Sequence, residues 1–243
     1  MAGPVAAGPP RRVRPRVTWV FGATLDGRVA APDGTSRWIS SSAARVDAHR
    51  LRAAHDAVLV GSGAARIDDP HLALRHGVAG PPPLRVVLDA RATVVTAASR
   101  VADTAAPTLV VIGPAAPMPA LPGHVSVVRV RLDETGRIDL PTLLRELGRR
   151  GVATLLLEGG PTLAAAFLSA GLVDDVVGYV RAAVLGAGRS MLDLPGVTTI
   201  GDLRAFHLVA ADVVGEDVRI RATVRGRRRR ASKTPASKPA SAG

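Results

Sequence analysis

The stretch from Thr154 to Asp175 reads TLLLEGGPTLAAAFLSAGLVDD. Thr154 to Leu157 is short and apolar, as a strand buried on both faces is, and it runs into Glu158-Gly159-Gly160. Thr162 to Ala170 follows with the Ala/Leu composition of a helix, and Val173 to Val180 returns to Val-rich strand. A strand, a glycine turn, a helix and a second strand within this span predict an α/β layer built on parallel strands.

The same alternation extends outward. Val17 to Phe21 reads as a strand. Ser41 to Ala54 reads as a helix with Ala44, Ala48 and Leu51 at helical spacing and serines able to cap it. Ala57 to Val60 is the next strand, ending at Gly61, and Ala64 to Ile67 a short helix before Asp69-Pro70. Arg85 to Leu88, Thr108 to Ile112 and Val125 to Val130 are further short strands, and Leu140 to Arg149 is an amphipathic helix. Ala205 to Val214 and Val218 to Val224 flank Gly215-Glu216-Asp217, which suits a terminal antiparallel hairpin. The expected sheet is therefore mixed but mostly parallel, flanked by helices.

The chain has 243 residues, 47% of them hydrophobic, enough for one sizeable core. Its formal charge is +12, from 32 basic and 20 acidic residues. Ten of those basic residues lie in Arg11 to Arg16 and from Arg227 onward, where there is no acid, so the body between them is nearly neutral. Residues 1–14 and the GRRRRASKTPASKPASAG tail, 226–243, are expected to be disordered around one domain, 15–225. The absence of cysteine excludes disulfides, a thiolate nucleophile and cysteine-ligated metal. The six histidines show no metal-binding spacing, so no metal site is expected. No apolar run reaches the length of a membrane helix and no secretory leader is evident, so a cytoplasmic setting is expected. Aromatic residues make up only 2%, which leaves few rings for stacking bases.

Two loops combine a strand end, glycines and a helix start: Gly61-Ser62-Gly63-Ala64 and Glu158-Gly159-Gly160-Pro161-Thr162. Each can bring backbone N–H groups to a phosphate, and each can equally be a tight turn. The first lacks the third glycine of the dinucleotide fingerprint, which disfavours a doubly wound dinucleotide domain. In ATLDGRVAAPDGTSRWISSS, residues 23–42, Asp33-Gly34 suits a hairpin. Either Ser36 and Trp38 line a cleft, or Trp38 covers a core edge. Arg52 and Arg75 flank one strand-loop unit and could converge on an anion. Asp68 and Glu158 stand near strand ends or turns, where open α/β sheets take their ligands.

Taken together, TLDGRVA with GTSRWIS, DAHRLRAAHDAVLVGSGAARIDDPHLALR, PLRVVLDA and LLLEGGPTLAAAFLSAGLVDD resemble the reductase domain of riboflavin biosynthesis. This is the C-terminal half of the bifunctional pyrimidine deaminase-reductase, and it has a dihydrofolate reductase-like fold. The resemblance runs from about Arg16 to Val224. It implies reduction by NADPH of a ribosylaminopyrimidine 5′-phosphate, deaminated or not, to its ribitylamino counterpart, in a homodimer. It makes Ser36, Arg52, Leu72, Arg75 and Glu158 substrate contacts. On the NADPH side it places Gly22, Trp38, Ala64, Asp68, Ala90 and the run Gly160, Pro161, Thr162, Leu163, Ala164, Ala165, Ala166. Ala90 stands where the family often has Ser, so a side-chain hydrogen bond to cofactor is lost there. The family's zinc deaminase needs cysteines that this chain lacks, which implies a separate deaminase in the same pathway. No catalytic acid is evident. A pterin or other imine reductase on the same fold is the neighbouring reading. A nucleic-acid-associated protein acting through the basic tail is the reading from another class, against which the near-neutral body weighs.

Overall fold

A computed structural model describes residues 14–36 and 39–224. In chain order its strands and helices are β1 (Arg16–Thr24), β2 (Arg28–Ala30), α1 (Ser42–Ala53), β3 (Ala57–Gly61), α2 (Ser62–Asp68), β4 (Leu84–Leu88), β5 (Thr108–Ile112), β6 (Val125–Arg129), α3 (Leu140–Arg149), β7 (Thr154–Leu157), α4 (Pro161–Ser169), β8 (Asp175–Arg181), β9 (Arg189–Ser190), β10 (Phe206–Val214) and β11 (Asp217–Val224). Nine strands form one sheet in the order β10-β11-β8-β1-β7-β3-β4-β5-β6. Every neighbouring pair from β8 to β6 is parallel, while β11 runs antiparallel to β8 and to β10. The mostly parallel sheet and the C-terminal hairpin are as the sequence predicts.

Strand alternation assigns the layers. Ala57, Leu59, Leu155 and Leu157 point to the face covered by α3 and α4, with Leu143, Leu144, Leu147, Ala164 and Phe167 packed against them. Val58, Val60 and Val87 point the other way, with Ala65 of α2, and on the same face Val20, Leu156 and Val177 meet Ala44, Ala48 and Leu51 of α1. Leu140, Leu143, Leu144 and Leu147 recur at the spacing that puts one helical stripe on the core, and all four are buried. Asp139 starts α3 by accepting the Thr142 N–H at 2.9 Å, and Ser41 starts α1 by accepting from Ala44 at 3.2 Å. Helices α3 and α4 are each followed by a glycine in the left-handed region, Gly151 and Gly171.

The Asp33-Gly34 segment is a tight turn in which the Ala31 N–H donates to Thr35 O at 2.8 Å. Its preceding strand β2 pairs not locally but with β9, Arg28 lying opposite Ser190. Residues 1–13 and 226–243, expected to be disordered, and Trp38 lie outside the described residues. Arg14 pairs with Asp174 at 2.8 Å, and Asp174 also accepts the Val17 N–H at 2.9 Å, so the chain is tied to the sheet where β1 begins. Among the described residues no helix is long and apolar enough to cross a membrane.

Candidate functional site

The register of the central strands cuts a notch. Leu157, the last residue of β7, lies opposite Trp19 of β1 and Leu59 of β3. Strand β1 continues to Thr24 and β3 to Gly61, so both outrun the strand between them. The chain leaving β7, Glu158-Gly159-Gly160, forms the floor of a cleft of about 1020 Å³ at the carboxyl ends of the parallel strands. This is where open α/β sheets bind ligands.

The cleft is lined by Gly22, Ser36, Ala64, Asp68, Ala90, Glu158, Gly160, Pro161, Thr162, Leu163 and Ala166. These residues come from five separate stretches of sequence, and the fold brings them to one place. Ala164 and Ala165 do not line it: Ala164 is fully buried against the core and Ala165 faces a neighbouring hollow on the outer side of α4. Arg52, Leu72 and Arg75 do not line it: Arg52 reaches Glu158, and Leu72 and Arg75 lie on the segment whose Ala73 carbonyl Arg52 holds.

The two arginines have different roles. The Arg52 guanidinium meets Glu158 side-on, Nε to Oε1 at 2.6 Å and Nη2 to Oε2 at 2.6 Å, and its Nη1 donates to Ala73 O at 3.3 Å. Burial alone would depress its pKa, but the charge and hydrogen bonds of Glu158 outweigh that and hold it above the ordinary arginine value. The fork expected to bind an anion is thus occupied by a carboxylate of the same chain. Arg75 is exposed, its side chain has no ion-pair partner among the described residues, and its pKa is lowered by partial desolvation and by the nearby Arg100 and Arg52 charges. An uncompensated cation pressed by two others is a site that favours an anion.

His49 of α1 completes this corner. It is buried, its Nδ1 accepts the Arg75 backbone N–H at 3.0 Å, and its ring meets His76 edge-on at 4.8 Å. Burial, followed by Arg52 and His76, lowers its pKa to about 4, so the imidazole is neutral at pH 7. Leu72 is buried with φ +59°, a left-handed conformation that a leucine adopts only where its surroundings impose it.

The glycines also separate into two kinds. A Cβ on Gly159 would sit 2.8 Å from Leu163 Cδ2, and one on Gly61 3.3 Å from the same atom, so both are small because Leu163 packs beneath the two loops. A Cβ on Gly160 or Gly63 would meet nothing within 4 Å, and neither residue has a positive φ. At Gly160 the lack of a side chain answers no need of the chain itself and leaves the backbone at the start of α4 open to the cleft.

The sequence reading missed several lining residues. Trp19 and Phe21 alternate on one face of β1, with ring centroids 4.6 Å apart, and the buried Trp19 Nε1 has no hydrogen-bond partner. Asp89 turns its carboxylate onto the N–H groups of Thr93, Val94 and Val95 at 2.8–3.0 Å, fixing the loop that carries Ala90 and Arg91 along the cleft. Arg137 and Arg189 reach the cleft from the loop before α3 and from β9. Tyr179 lines it too, its hydroxyl donating to Asp47 at 2.7 Å. The alternation of β1 could have flagged the aromatic pair, but nothing local marks the arginines.

Sheet order and cleft position together define an α/β domain with an open cleft at the carboxyl edge of a mostly parallel sheet. The chain belongs to the RibD C-terminal domain family, whose model matches residues 15–220. It is 37% identical over 228 residues to the riboflavin biosynthesis protein RibD of Mycobacterium tuberculosis, covering 90% of this chain and 59% of that protein. It is 34% identical over 222 residues to the 2,5-diamino-6-ribosylamino-4(3H)-pyrimidinone 5′-phosphate reductase of Methanothermobacter thermautotrophicus, covering 88% of this chain and 100% of that one. Among solved structures, a deaminase/5-amino-6-(5-phosphoribosylamino)uracil reductase from Thermotoga maritima superposes with a TM-score of 0.74 at 27% identity, over 87% of this chain and 57% of that one. The chain thus spans little more than half the length of the bifunctional relatives it matches.

Proposed function

We propose that this chain reduces a ribosylaminopyrimidine 5′-phosphate to the ribitylamino product, with NADPH as the hydride donor. The observation that carries the reading is the notch above Glu158, with an open glycine cradle along it and, outside its lining, the unpaired Arg75 cation on the segment that Arg52 ties to Glu158. The match to the whole length of the Methanothermobacter thermautotrophicus reductase supports the same substrate class.

The cradle fits a dinucleotide. Gly160 leaves room that a Cβ would fill, and the α4 N-terminus behind it suits a phosphate. Gly22, Ala64, Asp68, Ala90 and the Gly160–Ala166 run would hold NADPH, with Ala164 and Ala165 able to contribute only through their backbone or by supporting the helix. NADPH would supply a hydride to C1′ of the ring-opened ribosyl imine. The chain's own residues do the rest. Glu158, locked against Arg52, is an acceptor for an N–H or O–H of the substrate. Arg75 meets the 5′-phosphate, which favours a phosphorylated substrate over a free pterin. Trp19 and Phe21 supply an apolar wall that excludes water from the reacting carbon. The proton that completes the reduction comes from water or from the substrate itself.

The reading also takes the chain as a cytoplasmic homodimer. Val213 lies opposite Val218 and Ala211 opposite Ile220 on one face of the β10–β11 hairpin, and Val213 is 80% exposed. Sedimentation of the wild type and of Val213→Lys tests that assignment, and a wild-type monomer would refute it.

Incubating the purified chain with NADPH and each of the two pyrimidine phosphates, deaminated and not, tests the reaction through loss of reduced-nicotinamide absorbance. Turnover of either form supports it. A folded sample that binds NADPH and turns over neither refutes the substrate.

A further inference from the structure

Arg85 is the largest completely buried side chain among the described residues, with 0% of it exposed, and it is the second residue of β4, at the amino end of the strand and outside the cleft lining. A buried guanidinium is tolerated only when its donors are met. Nε donates to Thr108 Oγ1 at 2.9 Å. Nη2 donates to Asp103 O at 2.7 Å and to Ala106 O at 2.6 Å. Nη1 faces Asp103 Oδ1 at 2.8 Å, His71 O at 3.2 Å and Arg100 O at 3.4 Å. A Leu or Val there would complete the strand as well, so the sheet alone does not explain an arginine.

Five of its acceptor atoms belong to residues 100–108, and the sixth, which ties that connection to another segment, is the carbonyl of His71. It immediately precedes Leu72, whose left-handed φ turns the chain toward Arg75. The segment is held from both sides. On the β4 side, Arg85 grips the His71 carbonyl, Asp103 Oδ2 meets His71 Nε2 at 2.6 Å, and Asp69 Oδ1 accepts the Arg100 N–H at 3.0 Å. On the α1 side, Arg52 donates to Ala73 O and His49 accepts from Arg75 N. Removing the β4 side leaves the bend at Leu72 held by the α1 contacts alone, and Arg75 less firmly placed.

We propose that Arg85 is a positioning residue for the substrate, acting through the His71 carbonyl to fix the Leu72–Arg75 segment. It touches neither substrate nor cofactor. The inference rests on the reading of Arg75 as a phosphate ligand, and it predicts a separation that a purely structural arginine would not give.

Arg85→Lys keeps the charge but loses the planar fork, which cannot then span the Thr108, Asp103 and His71 acceptors together. Asp103→Asn, at a position open to solvent, weakens the same hub with less risk to folding. In both variants amide exchange in residues 69–76 is expected to accelerate while exchange in α4 does not. The KM for the pyrimidine phosphate is expected to rise by roughly tenfold, with kcat and the NADPH dissociation constant within twofold of wild type. A lower melting temperature with uniform exchange and unchanged KM in both variants would overturn the proposal. If Arg85→Lys does not fold, the Asp103→Asn result decides. A wild type without turnover refutes the functional reading and not this one, since the exchange pattern still shows whether Arg85 governs the segment.

Discussion

Glu158 and Arg52 meet through two hydrogen bonds of 2.6 Å each, joining the strand end that floors the cleft to the last turn of α1. The pair is largely shielded from solvent, and removing one partner leaves the other charge buried. It therefore fixes the orientation of a carboxylate that lines the cleft and consumes the arginine fork that an anion would otherwise use.

Arg52 and Arg75 should accordingly behave differently on substitution. Arg75→Ala removes an exposed cation and is expected to raise the KM for the pyrimidine phosphate by about tenfold or more, with little change in melting temperature, because a charge-assisted contact is worth roughly 1.5–3 kcal/mol. Arg52→Ala is expected to lower the melting temperature as well, by stranding Glu158. Steady-state kinetics and thermal unfolding on the two variants check this. Equal kinetic effects with equal stability would return the phosphate to both arginines.

The carboxylate of Asp89 gives a stability prediction. It is 2% exposed and accepts from three backbone N–H groups. Asp89→Ala removes both acceptor oxygens and leaves the three donors in a part-buried loop, at an expected cost of about 3 kcal/mol. Asp89→Asn keeps the shape with a weaker acceptor and should fall between. Urea unfolding of the two variants measures the difference.

The periodic parts of this fold were legible before the structure. Leu140–Arg149 carries its stripe at helical spacing and forms α3 with those bounds, and TLLL is β7 as read. What could not be read was long-range. β2 and β9 have three and two residues, too few to show a period, and owe their pairing to a contact across the molecule. The candidate site residues were named through whole motifs, not local chemistry. Arg52 and Glu158 are 106 positions apart, so no pattern along the chain could reveal that they pair. Likewise Gly159 and Gly160 look equivalent in sequence and become different only when Leu163 is seen under one of them.

His49 makes stability depend on pH. Its folded pKa of about 4 lies below the value of about 6.5 expected in the unfolded chain. Between those values the unfolded chain binds more protons, so this contribution is fully present above pH 6.5 and is lost as pH falls toward 4. The wild-type melting temperature should decline across that window. In His49→Gln, which can still accept the Arg75 N–H but does not titrate, the decline should be shallower. Parallel curves for the two proteins would show that His49 is not the group responsible.

The two adjacent glycines give the sharpest separation between packing and ligand binding. Gly159→Ala drives a Cβ to 2.8 Å from Leu163 Cδ2 and 3.0 Å from its Cβ, so the α4 N-terminus must shift. Overpacking of this kind costs about 1–3 kcal/mol, and the loss should appear in the melting temperature first. At Gly160, φ is −65° and ψ is 174°, a conformation open to any residue, and an added Cβ meets no protein atom. Gly160→Val should therefore leave the melting temperature of the free protein nearly unchanged while it fills the space in which NADPH must approach the Thr162 backbone, weakening cofactor binding by tenfold or more, on the order of 1.4 kcal/mol. Thermal unfolding without ligand and NADPH titration by fluorescence, run on both variants, place each on its own axis. Intact NADPH affinity in a folded Gly160→Val protein would show that the cradle is only a turn, and the cofactor would then have to lie elsewhere in the cleft.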